Sequence, residues 1–387
     1  MPLSKIARYS IRTLDLAATR KFYTEVMGLI VGPRRKFNFP GVISAVILIS
    51  FAGVAVAGLP PPPPPPPPVS PTIADSQPNN NPGLATNLLS VSGLGLAGNI
   101  SDAAGNFALG GGGQSAGLDV KRYALSGSTG AAAAPGAKLW NVWGAFSRSN
   151  IGYDYAPLQS SGSVNVYLAG VDYTFANNVV FGVAAAVDRT DVDLNFSAGK
   201  LNGRGVTVSP YVGVAINNKF ALDATLGYGQ TNVDTVAGGV TGSTRSDRNM
   251  GSLGLTYREV IGAWTLTSRS ALLKVRDKLG AYTLSNGTFV PDGTVNVTQI
   301  RLIAQAAYTS GPFTPYISLS YINDIQRLDQ APVGGIAAAN DRDAWTPAIG
   351  VRFKADNSLY GSIQYSTERG RSEVKNNQLL VTVGIRF

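Results

Sequence analysis

From Lys138 to the C-terminus, apolar and polar residues alternate with a period of two, and this pattern constrains the fold more than anything else in the chain. In the closing segment Leu379, Val381, Val383, Ile385 and Phe387 share one face, while Leu380, Thr382, Gly384 and Arg386 share the other. Trp345 to Lys354 repeats the pattern, with Trp345, Pro347, Ile349, Val351 and Phe353 against Thr346, Ala348, Gly350, Arg352 and Lys354. A β-strand sends successive side chains to opposite faces, so each run reads as a strand with one apolar face. Twelve strands are predicted, near 138–150, 162–175, 179–195, 203–217, 220–232, 248–260, 264–281, 295–310, 314–325, 342–355, 359–369 and 379–387. Five tight connections (176–178, 218–219, 261–263, 311–313, 356–358) alternate with six longer ones (151–161, 196–202, 233–247, 282–294, 326–341, 370–378). An even strand count with short turns at one end and long loops at the other is the pattern of an outer-membrane barrel. Alternation alone also suits a soluble sandwich, but alternating loop lengths do not. The predicted fold class is all-β: a transmembrane antiparallel β-barrel of about 12 strands spanning 137–387, preceded by a disordered Pro/Gly-rich segment. Both barrel ends then lie on the tight-turn, periplasmic side.

Composition agrees. Charged residues make up 14% of the 387, against ~25% in soluble domains, and 45 residues are Gly. The chain has no Cys and no His. That excludes thiol nucleophiles, an ordinary zinc site and a Ser-His-Asp triad. No cofactor or metal is expected. The net charge of +9 is scattered rather than gathered into a patch with interleaved aromatics, so nucleic acid is not a predicted partner. The expected surroundings are the outer-membrane lipid bilayer, with the protein a monomer. Trp140, Trp143, Tyr211, Tyr257, Trp264, Tyr308, Tyr321 and Trp345 sit near strand ends and are candidates for aromatic girdles at the headgroup levels.

Upstream the chain changes character. Arg34, Arg35 and Lys36 precede the apolar run Val42 to Ala57, with small residues at Ala55 and Ala57. Basic flank, short apolar core and small residues define a secretory signal over 34–57, with cleavage between Ala57 and Gly58 and the Sec translocon as partner. The 16-residue run is short for a spanning helix, which needs ~20 residues, although an uncleaved anchor is the alternative. Residues 58–136 form a linker or short passenger. It opens with Pro60 to Pro68, a polyproline spacer of roughly 28 Å. Gly, Ala, Ser and Asn dominate 69–136, including Gly110–Gly113 and Ala131–Ala134, so little apolar surface offsets the ordering entropy. Gly93-Leu-Gly-Leu-Ala-Gly98 matches a dinucleotide-binding pattern but lacks a preceding strand, and is read as chance.

Two resemblances follow from these residues. Leu139-Trp-Asn-Val-Trp-Gly-Ala145, Gly170-Val-Asp-Tyr-Thr-Phe175 with its Asn-Asn turn, and the closing Val-Gly-Ile-Arg-Phe387 together resemble an autotransporter β-domain over about 138–387. The resemblance implies a translocator barrel, with a segment just before it threading the lumen to a secreted passenger. It also implies that Phe387, with Ile385, Val383 and Val381, is read by the barrel-assembly machinery. No motif for self-cleavage is found. Residues 5–41, with Arg8 where a metal-binding His usually stands, look like the opening of a glyoxalase-type domain. That stretch, 1–33 in domain terms, reads as a nonfunctional fusion fragment or a mis-set start, since a start at Met27 leaves an ordinary signal peptide.

The leading function is an autotransporter-type translocator displaying or secreting a short N-terminal segment. The alternative is a structural or channel-forming outer-membrane protein, with Arg301, Arg352 and Arg386 in the lumen favouring anions. An enzyme is not expected. Asp188, Asp191 and Asp193 cluster near a strand end, but solvated rim charge is the simpler reading.

Overall fold

A computed structural model describes residues 71–108, 139–175, 178–355 and 358–387. The glyoxalase-like stretch, the signal segment with Ala55, Ala57 and Gly58, the poly-Pro run, residues 109–138 and parts of two tight turns lie outside the described residues.

Twelve antiparallel strands close into a barrel. They are β1 (Trp140–Tyr153), β2 (Ser160–Phe175), β3 (Val179–Leu194), β4 (Gly199–Ala215), β5 (Phe220–Ala237), β6 (Val240–Ile261), β7 (Trp264–Leu279), β10 (Gly293–Tyr308), β11 (Phe313–Gln326), β12 (Asp343–Lys354), β13 (Leu359–Thr367) and β14 (Val374–Arg386). Two short strands, β8 (Tyr282–Thr283) and β9 (Phe289–Val290), form a separate ribbon between β7 and β10. Each barrel strand pairs with its neighbours in sequence, and β1 closes against β14 from Asn141↔Arg386 to Tyr153↔Val374. Phe387 completes the seam by exchanging backbone hydrogen bonds with Trp140 at 3.1 and 3.0 Å. Closure leaves no strand edge, the condition for crossing lipid without orphaned backbone groups.

The alternation sets the two faces. On β3, Phe181, Val183, Ala185 and Val187 point out, while Val180, Gly182, Ala184, Ala186 and Asp188 point in. Outward aromatic pairs ring the tight-turn end: Trp140 with Tyr173, Phe220 with Tyr257 and Trp264 with Tyr308, centroids 4.9–5.1 Å apart. Tyr321 and Trp345 pair at the other end, 4.9 Å apart. Two expected girdle residues are corrected. Trp143 and Tyr211 have inward parity and are buried, joined by a 2.8 Å bond from Trp143 Nε1 to Tyr211 Oη. Glycines on adjacent strands make room for them: a Cβ at Gly170 would lie 2.6 Å from the Trp143 ring, and one at Gly182 2.3 Å from that of Tyr211.

The loop-length rule is also corrected. The expected loop 233–247 is instead a hairpin: β5 runs to Ala237, β6 starts at Val240, and Gly238-Gly239 turn between them. Both glycines have positive φ (55° and 79°), which favours a tight hairpin turn that continues the strand twist. Strands also absorb part of 151–161 and more than half of 196–202 and 370–378, leaving 280–292 and 327–342 as the long connections. Tight turns still join the strands at the opposite end, where β1 begins and β14 ends.

The segment ahead of the barrel is ordered over 71–108. It runs as 3₁₀ turns, helix α1 (Pro82–Leu89), a π turn (Ser90–Leu94) and helix α2 (Gly95–Ala108). Asn81 caps α1 by accepting from the Leu84 N–H at 3.0 Å, with Pro82 in the first helical position, where its missing N–H costs nothing. Leu94, Leu96, Ala97, Ile100 and Ala104 are almost wholly buried and join the main apolar cluster with inward residues of the wall.

Candidate functional site

The site is the barrel interior and the segment it encloses. Residues 71–81 lie at the mouth bearing the long connections: Ser76 donates to Ser197, Asn79 to the Pro291 carbonyl at 2.7 Å, and Gln77 accepts from Tyr282 at 2.7 Å. Twelve residues beyond Asn81, Gly93 packs on Val275 of β7. Near the other end Ala104 lies on Gly213 of β4, and Asn106 accepts from Arg258 of β6 at 3.3 Å. The chain therefore crosses the lumen from the long-connection mouth to the tight-turn mouth, where β1 begins.

Small residues permit this. A Cβ at Gly93 would sit 2.7 Å from Val275, and one at Gly98 2.9 Å from Arg301. Gly93 to Gly98, the chance match to a nucleotide motif, thus serves close packing of helix against wall. Ser101, Gly105 and Gly98 occupy one face of α2. A stripe of Gly95, Asn99, Asp102 and Asn106 stays partly exposed toward the remaining lumen, at the 3–4 residue spacing of one helix face.

Two buried arginine clusters fasten the segment to the wall. Arg248 of β6 donates to Asp277 of β7 from Nε and Nη2 at 3.0 and 2.9 Å, approaches Asp188 of β3 at 3.4 Å, and donates to Ser92 of the π turn at 3.2 Å. Arg269 of β7 meets Asp223 of β5 at 2.6 Å, Thr256 of β6 at 2.7 Å, Ser101 at 2.5 Å and the Asp102 carboxylate at 2.6 Å. Ser101 donates to Asp223 in turn. Planar guanidinium forks suit several acceptors at once, which makes Arg the appropriate cation here. Sequence reasoning missed both clusters and misjudged Asp188. It is not rim charge but inward and 1% exposed, while Asp191 and Asp193 have the opposite parity and point out. Parity along β3 carried that signal. At the tight-turn end a third network joins Asn141, Asp172, Tyr211, Trp143 and Tyr360.

Opposite the fastened side, the β10–β14 wall faces a cavity of about 150 Å³ with polar lining, room for about ten waters. Arg301 donates to Gln299 at 2.9 Å and borders this space. Arg352, also bordering it, donates to Gln305 and lies 4.5 Å over the Tyr316 ring. Arg386 lies 5.7 Å over the Tyr360 ring near the tight-turn end, away from the other two. Val381, Val383, Ile385 and Phe387 form an outward row along β14.

The long-connection mouth is partly covered by 327–342. Gln330 accepts from the Gly83 N–H at 3.0 Å, and the Leu328 carbonyl accepts from Thr86 at 3.4 Å, tying this loop to α1. Tyr155 donates to the Ile336 carbonyl at 2.6 Å and accepts from the Val333 N–H at 2.8 Å. Burial pushes the Tyr155 phenol up. The Ser372 N–H, 2.6 Å from the Asp341 carboxylate, holds that acid below its usual range, helped by Arg327 and Arg371.

Comparisons with known proteins agree with this arrangement. The autotransporter beta-domain family matches residues 141–366, more than half of the chain. The translocator domain of the autotransporter NalP from Neisseria meningitidis superposes with a TM-score of 0.55 at 13% identity, over 64% of this chain and 89% of that one. The β domain of the Bordetella autotransporter BrkA gives 0.54 at 16% identity, over 64% of this chain and 99% of that one. No curated protein matches. The two structural likenesses speak for the fold; with the family match, they mean that this chain belongs to the autotransporter β-domain family and is a translocator barrel of the bacterial outer membrane.

Proposed function

We propose that this translocator displays its own short N-terminal segment at the cell surface, with 71–108 remaining in the lumen as tether and plug. One observation carries the reading: the lumenal segment runs from the long-connection mouth at residue 71 to the tight-turn mouth at residue 108. Long connections face outward in outer-membrane barrels, so chain ahead of residue 71 leaves on the external side. In this reading the Sec translocon exports the chain and cleavage follows Ala57. The barrel-assembly machinery then reads the outward row ending in Phe387. No catalytic residue is assigned, and the lumenal arginines serve docking and hydration.

The absence of Cys makes the test clean. Ser70→Cys, Asn286→Cys and Asn217→Cys are each exposed to a membrane-impermeant maleimide on intact cells. The reading expects labelling at 70 and 286 and protection at 217. Labelling at 286 with protection at 70 defeats display while leaving the barrel orientation intact. Intact mass from purified outer membranes checks the processing, with Gly58–Phe387 expected.

A further inference from the structure

The outer surface is not uniform just beyond its apolar band. On β7 the outward row reads Trp264, Leu266, Ser268, Ser270, Leu272, and then Lys274, Arg276 and Lys278. Lys274 is ten residues from the girdle residue Trp264. At ~3.3 Å per residue and ~40° of tilt it stands about 25 Å along the barrel axis, the height of an outer-membrane apolar band. On β3 the outward row changes from Val187 to Arg189, and on β4 from Val206 to Arg204. On β1 it changes from Phe146 to the exposed Arg148. Four of the first seven strands thus place a cation at the first polar position past the band. Outward carboxylates come further out, at Asp191 and Asp193 on β3, Asp234 on β5 and Asp247 on β6.

Two of these cations stand in an unfavourable relation. Arg189 and Arg204 are directly opposite in the β3–β4 register, on the same outward face. Like charges in that position destabilise a strand pair. Asn165 and Asn232 flank them on the neighbouring strands, and neither guanidinium has an ion pair among the described residues. Lys274 and Arg276 face Gly251 and Asn249 on β6 and Thr298 and Asn296 on β10, again without a carboxylate opposite. Lys278, further out, does face Asp247. Across the barrel β12 carries Asp343 at the corresponding position, taken up by Tyr321 and by Asn323 at 2.7 Å. The positive surface is therefore concentrated on the β1–β7 side, while opposite it the exposed Arg369 follows β13 and Lys375 of β14 pairs with Asp154.

We infer that the β1–β7 side of the barrel, at the external limit of its apolar band, binds the phosphate groups of outer-leaflet glycolipid through Arg189 with Arg204 and through Lys274 with Arg276. An anion between Arg189 and Arg204 turns a repulsive pair into a clamp, because a guanidinium fork matches phosphate oxygens. The acyl chains then lie on Val183, Val187, Val206 and Leu272 directly below. A lipid supplies both contacts, phosphate at the cations and chains on the apolar rows, whereas free phosphate uses only the first. The inference rests on the orientation argued above, long connections outward, which the maleimide labelling tests separately.

The experiment is native mass spectrometry of the full chain, extracted in mild detergent and titrated with bisphosphorylated lipid A. Arg189→Gln with Arg204→Gln, and separately Lys274→Gln with Arg276→Gln, should each weaken binding about tenfold or more, taking ~1 kcal/mol per basic residue at a charged surface. Arg189→Lys with Arg204→Lys should retain most binding, and all variants should keep the mobility of a folded barrel on gels. Unchanged binding in both Gln pairs overturns the inference. So does equal binding of dephosphorylated lipid A, or inorganic phosphate competing at the same concentration as the lipid.

Discussion

The two halves of the lumen use the same residue types to opposite ends. On the β3–β7 half two inward arginines meet carboxylates, Arg248 with Asp188 and Asp277 and Arg269 with Asp223 and Asp102, while Arg258 reaches the Asn106 amide. Glycines there let the helix backbone approach, and a Cβ at Gly213 would lie 2.3 Å from the Ala104 carbonyl oxygen. On the β10–β14 half Arg301 and Arg352 have neutral amides for partners and no ion pair among the described residues, and Ser, Thr and Gln line an open space. Charge neutralised between wall and helix makes a dock; charge given only neutral partners borders a wet passage. The barrel is thus plugged on one side and hydrated on the other, a division that no single strand reveals.

The comparison breaks most severely at the dock. Arg269→Met strands Asp223 and Asp102 without their cation in a buried site, a loss on the order of 3–5 kcal/mol. The urea midpoint of the barrel refolded in vesicles should fall accordingly, and α2 should become open to protease. Next is Gly213→Ala, which forces the helix end off the wall at an overpacking cost of about 1–3 kcal/mol. Single-channel conductance in planar bilayers should rise in that variant. Unaltered conductance in both would mean that the segment is not held by this side.

How much of this could be read beforehand depends on which period was being read. The barrel is legible because its strands extend over nine or more residues at period two, and closure follows from membrane chemistry rather than from any local motif. Position near a strand end suggests a girdle for Trp143 and Tyr211, but parity decides the face, and Trp140 and Trp143 differ in parity. The hairpin at Gly238-Gly239 was hidden because Thr, Ser and Asn fill the outer half of β5 and β6 and look like loop. The lumenal helix was missed for a different reason. Its composition is too poor in apolar surface to fold alone, and it is helical because the barrel supplies the other surface. A residue such as Gly98 or Ala104 contributes by being small, which no hydrophobicity pattern records. The stripe Asn99, Asp102, Asn106 was nevertheless on view at helical spacing. The first sign of the dock lay in Asp188 sharing parity with Ala184 and Ala186.

The wet half gives a gentler test. Arg301 and Arg352 are fixed cations beside open space, so chloride should outrun potassium through whatever conductance the folded barrel retains. Reversal potentials under a salt gradient should show anion preference, and Arg301→Gln with Arg352→Gln should diminish it without shifting the urea midpoint as far as Arg269→Met does. Cation preference in the unaltered protein would mean that Asp102 and Glu368, which also line the space, dominate the field.

The smallest effect is expected at the mouth, where 327–342 leans over both halves. The Asp341 carboxylate is held below its usual range first by the Ser372 N–H, with Arg327 and Arg371 adding to it. A depressed acid stabilises its surroundings fully above its ordinary value near 4 and loses that contribution as pH falls through the lower value it has when folded. The tie from Asp341 to Ser372 should therefore hold at pH 6 and weaken only below about pH 4. Asn340, whose side chain accepts from the Gln330 N–H and donates to its carbonyl, does not titrate and keeps the loop's inner half in place. Relative to the intrinsic amide rate at each pH, hydrogen exchange should accordingly quicken at Ser372 on acidification while Gln330 stays protected. Asp341→Asn should show the lowered Ser372 protection already at pH 6 and remove the dependence of that protection on pH. Equal quickening at Gln330 would instead mean that the mouth opens as one unit, and that the loop is held by its charges rather than by the amide contacts over α1.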